Sequence, residues 1–308
     1  AKKIRRRKRK KVRRIILSYL MLIFLLVCVI GGYIVYEKFG KQILTYRQEA
    51  IDLVAASSEK TFRQEETSMV YDANGRKIRE VTGEKEVYYK TYDEIPAYFV
   101  EAMVSVEDRR FYEHNGVDYE GIMRAAYILF KNNGNITQGA STITQQLARG
   151  IFLTNEVSYE RKIKEIFIAW EMEKKYTKQQ ILEYYLNTIF FSNFYYGIGA
   201  ASKGYFDKDL DELSVSEVAF LCAIPNSPTY YDPRTNYDHT IELRNKILND
   251  MHELGYLNDL EHQTALDEKI KLAEEKKISH DYVETYTNFC ATEALMEAGG
   301  FEFQYKFD

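Results

Sequence analysis

The ten residues Glu107–Gly116, EDRRFYEHNG, follow directly on the apolar run AYFVEAMVSV at 97–106. The apolar run predicts a buried helix, and the motif then brings four consecutive charges, two aromatic rings and a histidine. Taken alone, such a cluster is more often a solvated helix end than a site. The alternative is that a buried helix delivers one carboxylate, that of Glu107, into a cleft. The rest of the chain has to decide between the two.

The N terminus is strongly basic and is followed by a long apolar segment. The first 14 residues hold eleven Lys or Arg and no acid, and residues 15–36 carry no charge. A helix of that length, about 33 Å, is enough for a hydrocarbon core of about 30 Å. A buried soluble helix rarely runs so far without a polar face, and the apolar region of a cleaved signal peptide is usually about 7–15 residues long. We expect an uncleaved anchor, with the basic tail in the cytoplasm and the chain from about residue 38 on the outer face.

Charge and cysteine usage exclude several classes of protein. The net charge of −4 conceals an asymmetry, because without the eleven N-terminal cations 31 Lys and Arg oppose 46 Asp and Glu, which leaves a charge near −15. This argues against nucleic acid as a partner. Cys28, Cys222 and Cys290 are too few and too scattered for a disulfide framework, and no CxxC or Cys/His cluster indicates zinc.

The organisation of the chain is predicted to be mainly α-helical with one small β element. We expect a cytoplasmic tail at 1–14, a transmembrane helix at 15–36, a stalk at 37–66, a domain at 67–235 and a helical linker at 236–308. Residues 69–81, around Asn74-Gly75, predict a β-hairpin. Helices are predicted from Pro96 to Val106, at Tyr119–Lys131, at Ser158–Tyr176, at His239–Leu254 before Gly255, at 259–272 and at 282–298, with capping boxes at Thr177–Gln180 and Ser214–Glu217.

Three further stretches carry unusual patterns. Gly139–Arg149, GASTITQQLAR, is too polar for a core helix and too ordered for a random loop, although it could be the start of a capped helix. In RKIKEIFIAWEME, the residues Arg161, Glu165, Ala169 and Glu173 recur every four positions and share one helix face, where an ordinary solvated ion pair is the simpler interpretation. The fourth stretch is KQQILEYYLNTIFF, followed by YYGIGAASKGYF.

In this order and spacing, the four stretches resemble the glycosyltransferase domain of bifunctional penicillin-binding proteins and of monofunctional peptidoglycan glycosyltransferases (family 51). The resemblance covers about residues 68–235. It implies a lysozyme-like helical domain that polymerises lipid II, with the membrane, lipid II and undecaprenyl-pyrophosphate-linked glycan as partners, and cell-division or elongation proteins besides. In such enzymes a sugar 4-hydroxyl attacks the anomeric carbon of the growing chain, and the lipid pyrophosphate leaves with inversion. The family is also the target of the phosphoglycolipid moenomycin.

The resemblance also implies roles for individual residues. Glu107 matches the catalytic glutamate and is expected to be the general base, because a sugar hydroxyl is a weak nucleophile. Asp108 is expected to orient its neighbours, while Phe111 and His114 shape the site. Glu165, the second motif glutamate, is expected to position Arg161 or a divalent cation, Mg²⁺ or Mn²⁺, at the pyrophosphate. The remaining residues expected to bind substrate are Ser141, Thr142, Gln145, Gln146, Arg149, Arg161 and Lys162.

The sequence departs from the family pattern at several points. Arg149 stands where lysine is most frequent, which keeps the charge but changes its geometry, and Ser192 stands where glycine is usual, which puts the loop after YLN in doubt. Ser57-Ser-Glu-Lys60 fits S-x-x-K, yet no K-T-G follows, so penicillin binding by this stretch of chain is not expected. Glu173 and Asn187 are expected to hold helices together.

Two other functions and one structural alternative stay open at this stage. A lysozyme-like hydrolase would also use a glutamate at the end of a helix, but it has no need of a pyrophosphate-binding set of cations and amides. A membrane-anchored scaffold with a decayed site is the alternative that is not an enzyme. The apolar helix Tyr119–Phe130 fits either a core position or insertion into the outer leaflet of the membrane.

Overall fold

The computed structural model describes residues 19–30, 32–33, 36–63, 68–71, 77–81, 88–131, 141–154 and 156–274. The predicted cytoplasmic tail, the Asn74-Gly75 turn and the predicted helix at 282–298 lie outside these residues. The chain divides into two compact units, residues 1–52 and 53–308.

The first unit is helical throughout its described part. Residues 19–30 form helix α1, and a π-helical turn at Tyr36–Gly40 leads into α2 (Lys41–Ala56). The large apolar side chains of α1, from Tyr19 to Ile30, are all more than half exposed. Within the described residues, no helix reaches the length and apolarity needed to cross a membrane. Part of the predicted anchor, at 15–18, 31 and 34–35, lies outside them.

The second unit is mainly helical, which confirms the predicted fold class, whereas the lysozyme-like arrangement stays a prediction. The predicted hairpin is present as the antiparallel pair β1 (Ser68–Tyr71) and β2 (Lys77–Val81). The helices are α3 (Glu59–Phe62), α4 (Ala97–Glu107), α5 (Tyr119–Lys131), α6 (Ile143–Phe152), α7 (Tyr159–Lys175), α8 (Lys178–Thr188), α9 (Gly197–Phe206), α10 (Val215–Ala223), α11 (Tyr237–Glu253) and α12 (Asp259–Asp267), with 3-10 turns at Tyr92–Glu94, Leu210–Glu212 and Ile224–Asn226.

Helix α10 forms the centre of the core. Its residues from Val218 to Ala223 are fully buried, as expected of a helix that is apolar on all sides. It packs against α4 and α11, while α6 packs against α7 and α8. The helix that carries Glu107 and the helix that carries Gln146 are therefore both supported by packed neighbours.

Most helix ends form where the sequence predicts them. Pro96 is the N-cap of α4, and the side chain of Ser158 accepts a hydrogen bond from the backbone of α7. The capping boxes that begin at Thr177 and Ser214 are both present. Gly255, with φ +79°, directly follows the end of α11, as expected of a glycine in the left-handed region.

The helix predicted at 259–272 is shorter than expected, because α12 ends at Asp267. The segment beyond it is not helical and packs on the domain instead. The hydroxyl of Tyr237 donates to the carbonyl of Ile270 at 2.7 Å, and the amide of Ala273 donates to the carbonyl of Tyr205 at 2.8 Å. These tertiary hydrogen bonds replace those that a longer helix would make within itself.

The expectation that Gly139–Arg149 is too polar for a core helix is wrong. Helix α6 starts at Ile143 and buries most of its first two turns. Its polar groups can be buried because they find partners: the Thr144 hydroxyl, for example, donates to Glu173 Oε1 at 2.6 Å. The capped helix start is confirmed, since the side chains of Thr142 and Gln145 form a complete capping box.

The C-terminal part of the predicted stalk packs on the domain. Phe62 is almost fully buried and stacks on Tyr184, with ring centroids 4.1 Å apart. Ser57 shares a hydrogen bond of 2.6 Å with the hydroxyl of Tyr176. The compact unit accordingly begins at Leu53, inside the segment expected to be a stalk.

Helix α5 is not a core helix. Four of its large apolar side chains lie on one face, at spacings of four, four and three residues, and are strongly exposed. Tyr119 is 61%, Met123 70%, Tyr127 66% and Phe130 86% exposed. For the face of α5 that these four side chains form, the core alternative is therefore wrong.

Candidate active site

Glu107 is the last residue of α4, and Asp108 caps the helix through its backbone N–H, which donates to the carbonyl of Val104. The Glu107 side chain reaches the second motif, where its Oε2 accepts a hydrogen bond of 2.7 Å from Gln146 Nε2. Its other oxygen, Oε1, is buried without a hydrogen-bond partner among the described residues. One carboxylate oxygen is thus fixed and the other is free to accept a proton.

The environment raises the pKa of Glu107 above its usual value of 4.5. Burial is the main cause, since it disfavours the charged form, and the nearby charge of Asp108 acts in the same direction. The hydrogen bond from the Gln146 amide opposes the rise, and so do the Asn226 amide, which forms no hydrogen bond of normal length with the carboxylate, and the charge of Arg149. A raised pKa makes Glu107 a stronger base than a solvated glutamate.

Tyr185 controls the orientation of the Gln146 amide. Its hydroxyl is buried and donates to Gln146 Oε1 at 3.2 Å. With its oxygen engaged there, the Gln146 side chain turns its NH₂ group toward Glu107. Neither Tyr185 nor Asn226 is predicted as a site residue from the sequence. Tyr185 lies in the fourth motif, but nothing in the sequence shows that it meets a residue 39 positions away.

Asp108 holds the turn of the first motif against α6. It accepts hydrogen bonds from His114 Nε2, at 3.0 and 3.1 Å, and from the backbone N–H of Ile143, at 3.1 Å. Asp108 and His114 are both buried, and Phe111 is fully enclosed beneath them. These contacts join the turn of the first motif to the start of α6, and the roles expected for Asp108, His114 and Phe111 in the site stay predictions.

Lys178 stabilises the turn of the first motif, although the sequence does not predict it as a site residue. Its ammonium group donates to the carbonyl of His114 at 2.7 Å and to Glu173 Oε1 at 2.8 Å. It also lies 4.1 Å from the centroid of the Phe111 ring, in a cation–π contact. Glu173 joins α7 to α6, as expected, whereas Asn187 on α8 binds both backbone groups of Lys90, which lies in the segment before the 3-10 turn rather than in a helix.

Glu165 is almost completely buried on α7, at 1% exposure. Its Oε1 accepts a hydrogen bond from Lys162, whose ammonium group also donates to Ser141 Oγ at 3.0 Å. The interpretation of Arg161 and Glu165 as a solvated ion pair is therefore wrong. Glu165 is buried, and its cation is Lys162, three residues earlier, rather than Arg161, four residues earlier. Glu165 Oε2 is buried without a hydrogen-bond partner among the described residues.

The remaining predicted residues are Thr142, Gln145 and Arg149 at α6 and Arg161 on α7. Thr142 and Gln145 are buried and satisfy each other in the capping box, and the Thr142 hydroxyl donates to the carbonyl of Gly116 at 2.6 Å. Arg149 lies further along the helix, close enough to act on the pKa of Glu107. Arg161 stands in the first turn of α7 with its Nε buried and unpartnered among the described residues. Buried nitrogens and oxygens without partners favour a polar ligand at this site.

The loop after YLN keeps a conformation that suits glycine even though Ser192 stands there. Ser192, Asn193 and Phe194 have φ angles of 66°, 46° and 64°, in the left-handed region. Asp232 stabilises two of them, because its Oδ2 accepts from Ser192 Oγ at 3.1 Å and its Oδ1 from Asn193 Nδ2 at 3.0 Å. The departure at Ser192 thus changes the residue but not the need for a left-handed backbone.

Comparison with known proteins identifies the family to which the sequence belongs. Residues 74–252 match the family described as Transglycosylase. Penicillin-binding protein 4 of Bacillus subtilis is 42% identical over 240 residues, which cover 77% of this chain and 38% of that protein. Penicillin-binding protein 1A of Escherichia coli is 42% identical over 213 residues, which cover 69% of this chain and 25% of that protein.

A crystal structure of penicillin-binding protein 1A from Haemophilus influenzae aligns with 77% of this chain and 25% of that one, at 23% identity and a TM-score of 0.42, too low to support an argument about the fold. The chain spans between a quarter and two fifths of the length of the relatives named here. The match to more than half of the chain, and the identity to both curated relatives, establish the family. The chain belongs to the transglycosylases, the family 51 glycosyltransferase domains of class A penicillin-binding proteins.

Proposed function

We propose that this chain is a peptidoglycan glycosyltransferase that polymerises lipid II on the outer face of a bacterial membrane. The observation that supports this most is Glu107, a buried carboxylate with one oxygen fixed by Gln146 and the other free. As general base, Glu107 Oε1 takes the proton of the acceptor's sugar 4-hydroxyl. As the proton leaves, the hydroxyl oxygen of the sugar forms the bond to the anomeric carbon of the growing chain. The bond from the anomeric carbon to the lipid pyrophosphate breaks, and the configuration inverts.

The leaving pyrophosphate needs positive charge and hydrogen-bond donors rather than a strong acid. We propose that Arg149, Arg161 and Lys162 supply them. Two observations support this assignment: Arg161 Nε has no hydrogen-bond partner among the described residues, and the Lys162 side chain is 40% exposed. Ser141 and Glu165 hold Lys162 in position, which gives Glu165 a role in orienting a cation rather than in donating a proton.

A divalent cation, Mg²⁺ or Mn²⁺, fits this site only in part. Glu165 Oε2 is a buried oxygen without a hydrogen-bond partner in the described part of the chain, which suits one ligand of such an ion. The described residues contain no group of three or more His, Cys, Asp or Glu side chains that could hold a metal. The other ligands would therefore come from the pyrophosphate, whose negative charge the ion would neutralise when bound.

The substrate carries its lipid in the bilayer, so we propose that the site lies close to the membrane. One feature of the unit that carries the site supports this position: the apolar face of α5, with Met123, Tyr127 and Phe130, is exposed. We propose residues 15–36 as a single-pass anchor with the basic tail in the cytoplasm.

The test that separates this proposal from a lysozyme-like hydrolase uses two substrates. The detergent-solubilised protein is incubated with lipid II and, separately, with preformed glycan. We expect long glycan and free lipid pyrophosphate from lipid II, and no cleavage of preformed glycan. Shortening of preformed glycan with no product from lipid II would overturn the proposal in favour of a hydrolase, and inactivity on both substrates would favour a scaffold.

A further inference from the structure

A cavity lies beside α4. Its volume is about 210 Å³. Neither Glu107 nor its hydrogen-bond donor Gln146 lines it. The lining residues are Tyr92, Ala97, Val100, Glu101, Val104, Tyr112 and Tyr256.

Three tyrosines from three separate segments form walls of this cavity. Tyr92 belongs to the 3-10 turn before α4, Tyr112 to the turn of the first motif and Tyr256 to the turn after α11. Tyr112 is 55% and Tyr256 is 37% exposed, so both can be reached from solvent. The face of an aromatic ring carries partial negative charge and attracts cations.

Glu101 supplies the one formal charge in the lining. Its carboxylate has neither an ion pair nor a hydrogen bond to another residue that the structure describes, and burial alone raises its pKa above 4.5. Burial also raises the pKa of Tyr112 to about 12, with smaller contributions from Tyr92, Tyr256 and Glu101, so the phenol stays neutral. No Lys, Arg or His lines the cavity, and the carboxylate therefore lacks a counter-charge there.

We propose that this cavity binds an organic ammonium group, the end of an aliphatic amine chain of the lysine type, with Glu101 as its counter-ion and the three tyrosines around it. The Glu101 carboxylate is partly removed from water and has no ion-pair partner among the described residues, so a bound cation would supply the counter-charge that it lacks. Drug-sized ligands usually need about 300–1,000 Å³. A cavity of about 210 Å³ instead suits the end of a single chain. This binding does not depend on the transferase activity proposed above.

The first test uses a matched pair of probes, n-butylammonium and 1-butanol, which share length and shape and differ in charge. Binding to the full detergent-solubilised chain is measured by calorimetry or NMR titration at constant ionic strength and without lipid II, so the result is independent of the proposed function. We expect saturable binding of butylammonium and at least about tenfold weaker binding of butanol, the effect of a charge-assisted contact. Equal binding of the two probes, no saturable binding, or tighter binding of N-acetylglucosamine would overturn the proposal.

The second test assigns the binding to this cavity. Glu101→Gln and Tyr256→Leu should each weaken butylammonium binding, the former by about tenfold. Glu113→Gln is the control, because Glu113 is an exposed glutamate near the same turn that already pairs with Arg110. Wild-type affinity in Glu101→Gln, with an unchanged thermal midpoint, would show that the cation binds elsewhere. Should a variant fail to fold, the comparison of the two probes on the wild-type chain still decides.

Discussion

Glu107 combines two conditions that a general base needs, a fixed direction and a raised proton affinity. Gln146 fixes the direction by holding Oε2, and Tyr185 in turn fixes Gln146. Burial raises the proton affinity, and the same Gln146 amide limits the rise. The two conditions are therefore coupled, because one hydrogen bond sets the geometry and also moderates the pKa.

The pH dependence of polymerisation should report on this coupling. A general base acts only when deprotonated, so kcat/KM should fall as the pH drops through the pKa of Glu107, which lies above 4.5. Gln146→Met removes a hydrogen bond that favours the charged carboxylate, so the acid limb should move to higher pH. The pH profiles of the wild type and the variant provide the measurement, and an acid limb that moves to lower pH would contradict the coupling.

Lys178 should matter for turnover although it lies beneath the turn rather than at the reacting atoms. Lys178→Met removes the donor to the His114 carbonyl and the cation over Phe111, which loosens the turn after Glu107. Since small displacements in a site are costly, kcat for lipid II should fall by about 10- to 100-fold, with a smaller change in KM.

Two further variants show whether the effect of Lys178 comes from its contacts. Lys178→Arg keeps the charge and the donors and should recover part of the activity. Lys174→Met, which removes an exposed cation paired with Glu171 at the end of the preceding helix, is the control. If Lys178→Met were as active as Lys174→Met, the supporting role would be refuted.

At the scale of elements, helix α6 carries the groups that the two carboxylates need. Ser141, just before the N-cap Thr142, contacts Lys162, while Gln146 lies one turn into the helix and contacts Glu107. The capping box of Thr142 and Gln145 fixes where the helix begins. A shift in that start would therefore move both groups together.

The sequence predicts the local parts of this arrangement well and the long-range parts poorly. Caps at Ser158, Thr177 and Ser214 depend on spacings of three residues, so they can be read from the chain. The contacts of Lys178 with His114 and of Tyr185 with Gln146 join residues 64 and 39 positions apart. No short pattern encodes such pairs. The prediction that α6 is too polar for the core is wrong for the same reason, because the groups that hydrogen-bond to its polar side chains lie on other helices.

The approach of the first-motif turn to α7 can be tested with one glycine. Gly116 has φ +87°, and a Cβ there would lie 2.8 Å from the carbonyl oxygen of Ala169. Gly116→Ala should lower the free energy of unfolding by about 1–3 kcal/mol from backbone strain alone, and by more through the clash.

Gly150→Ala is the matched control for that substitution. Gly150 is an exposed residue within α6, with no atom within 4 Å of an added Cβ. This change should stabilise the protein, by at most about 1 kcal/mol. Denaturant unfolding of both variants is the measurement, and equal stability of the two would contradict the close approach at Gly116.

On the scale of the whole molecule, the mainly helical class and most helix positions follow from the sequence, because hydrophobic period and caps are local signals. The extended segment after Asp267 does not follow, because Tyr237 and Tyr205 draw its backbone away from the helix that its composition favours. Of the site, the two glutamates could be identified only through the order and spacing of four motifs, since each motif alone has an ordinary structural explanation.

The proposed anchor makes a prediction about the whole chain in its membrane. Leu22→Lys with Leu26→Lys places two charges in the middle of residues 15–36, at a cost of roughly 2.5–3.5 kcal/mol each at the centre of a bilayer. The double variant should be extracted from bacterial membranes by alkaline carbonate, while the wild type stays. Leu44→Lys with Leu260→Lys, at exposed leucines outside the segment, is the control. Retention of the first double variant would refute the anchor.

The most direct test of the central claim is the rate of lipid II polymerisation by Glu107→Gln, beside Glu113→Gln as the exposed control in the same motif. Because the fold raises the pKa of Glu107, ionisation of this carboxyl lowers the stability of the fold once the pH rises above the unfolded pKa of about 4.5, and the loss is complete above the folded pKa. Glu107→Gln removes that charge, so the variant should unfold no earlier than the wild type at pH 7. We predict a rate lower by about 10²–10⁴-fold for Glu107→Gln and an unchanged rate for Glu113→Gln. Polymerisation by folded Glu107→Gln at the wild-type rate would contradict the assignment of Glu107 as the general base.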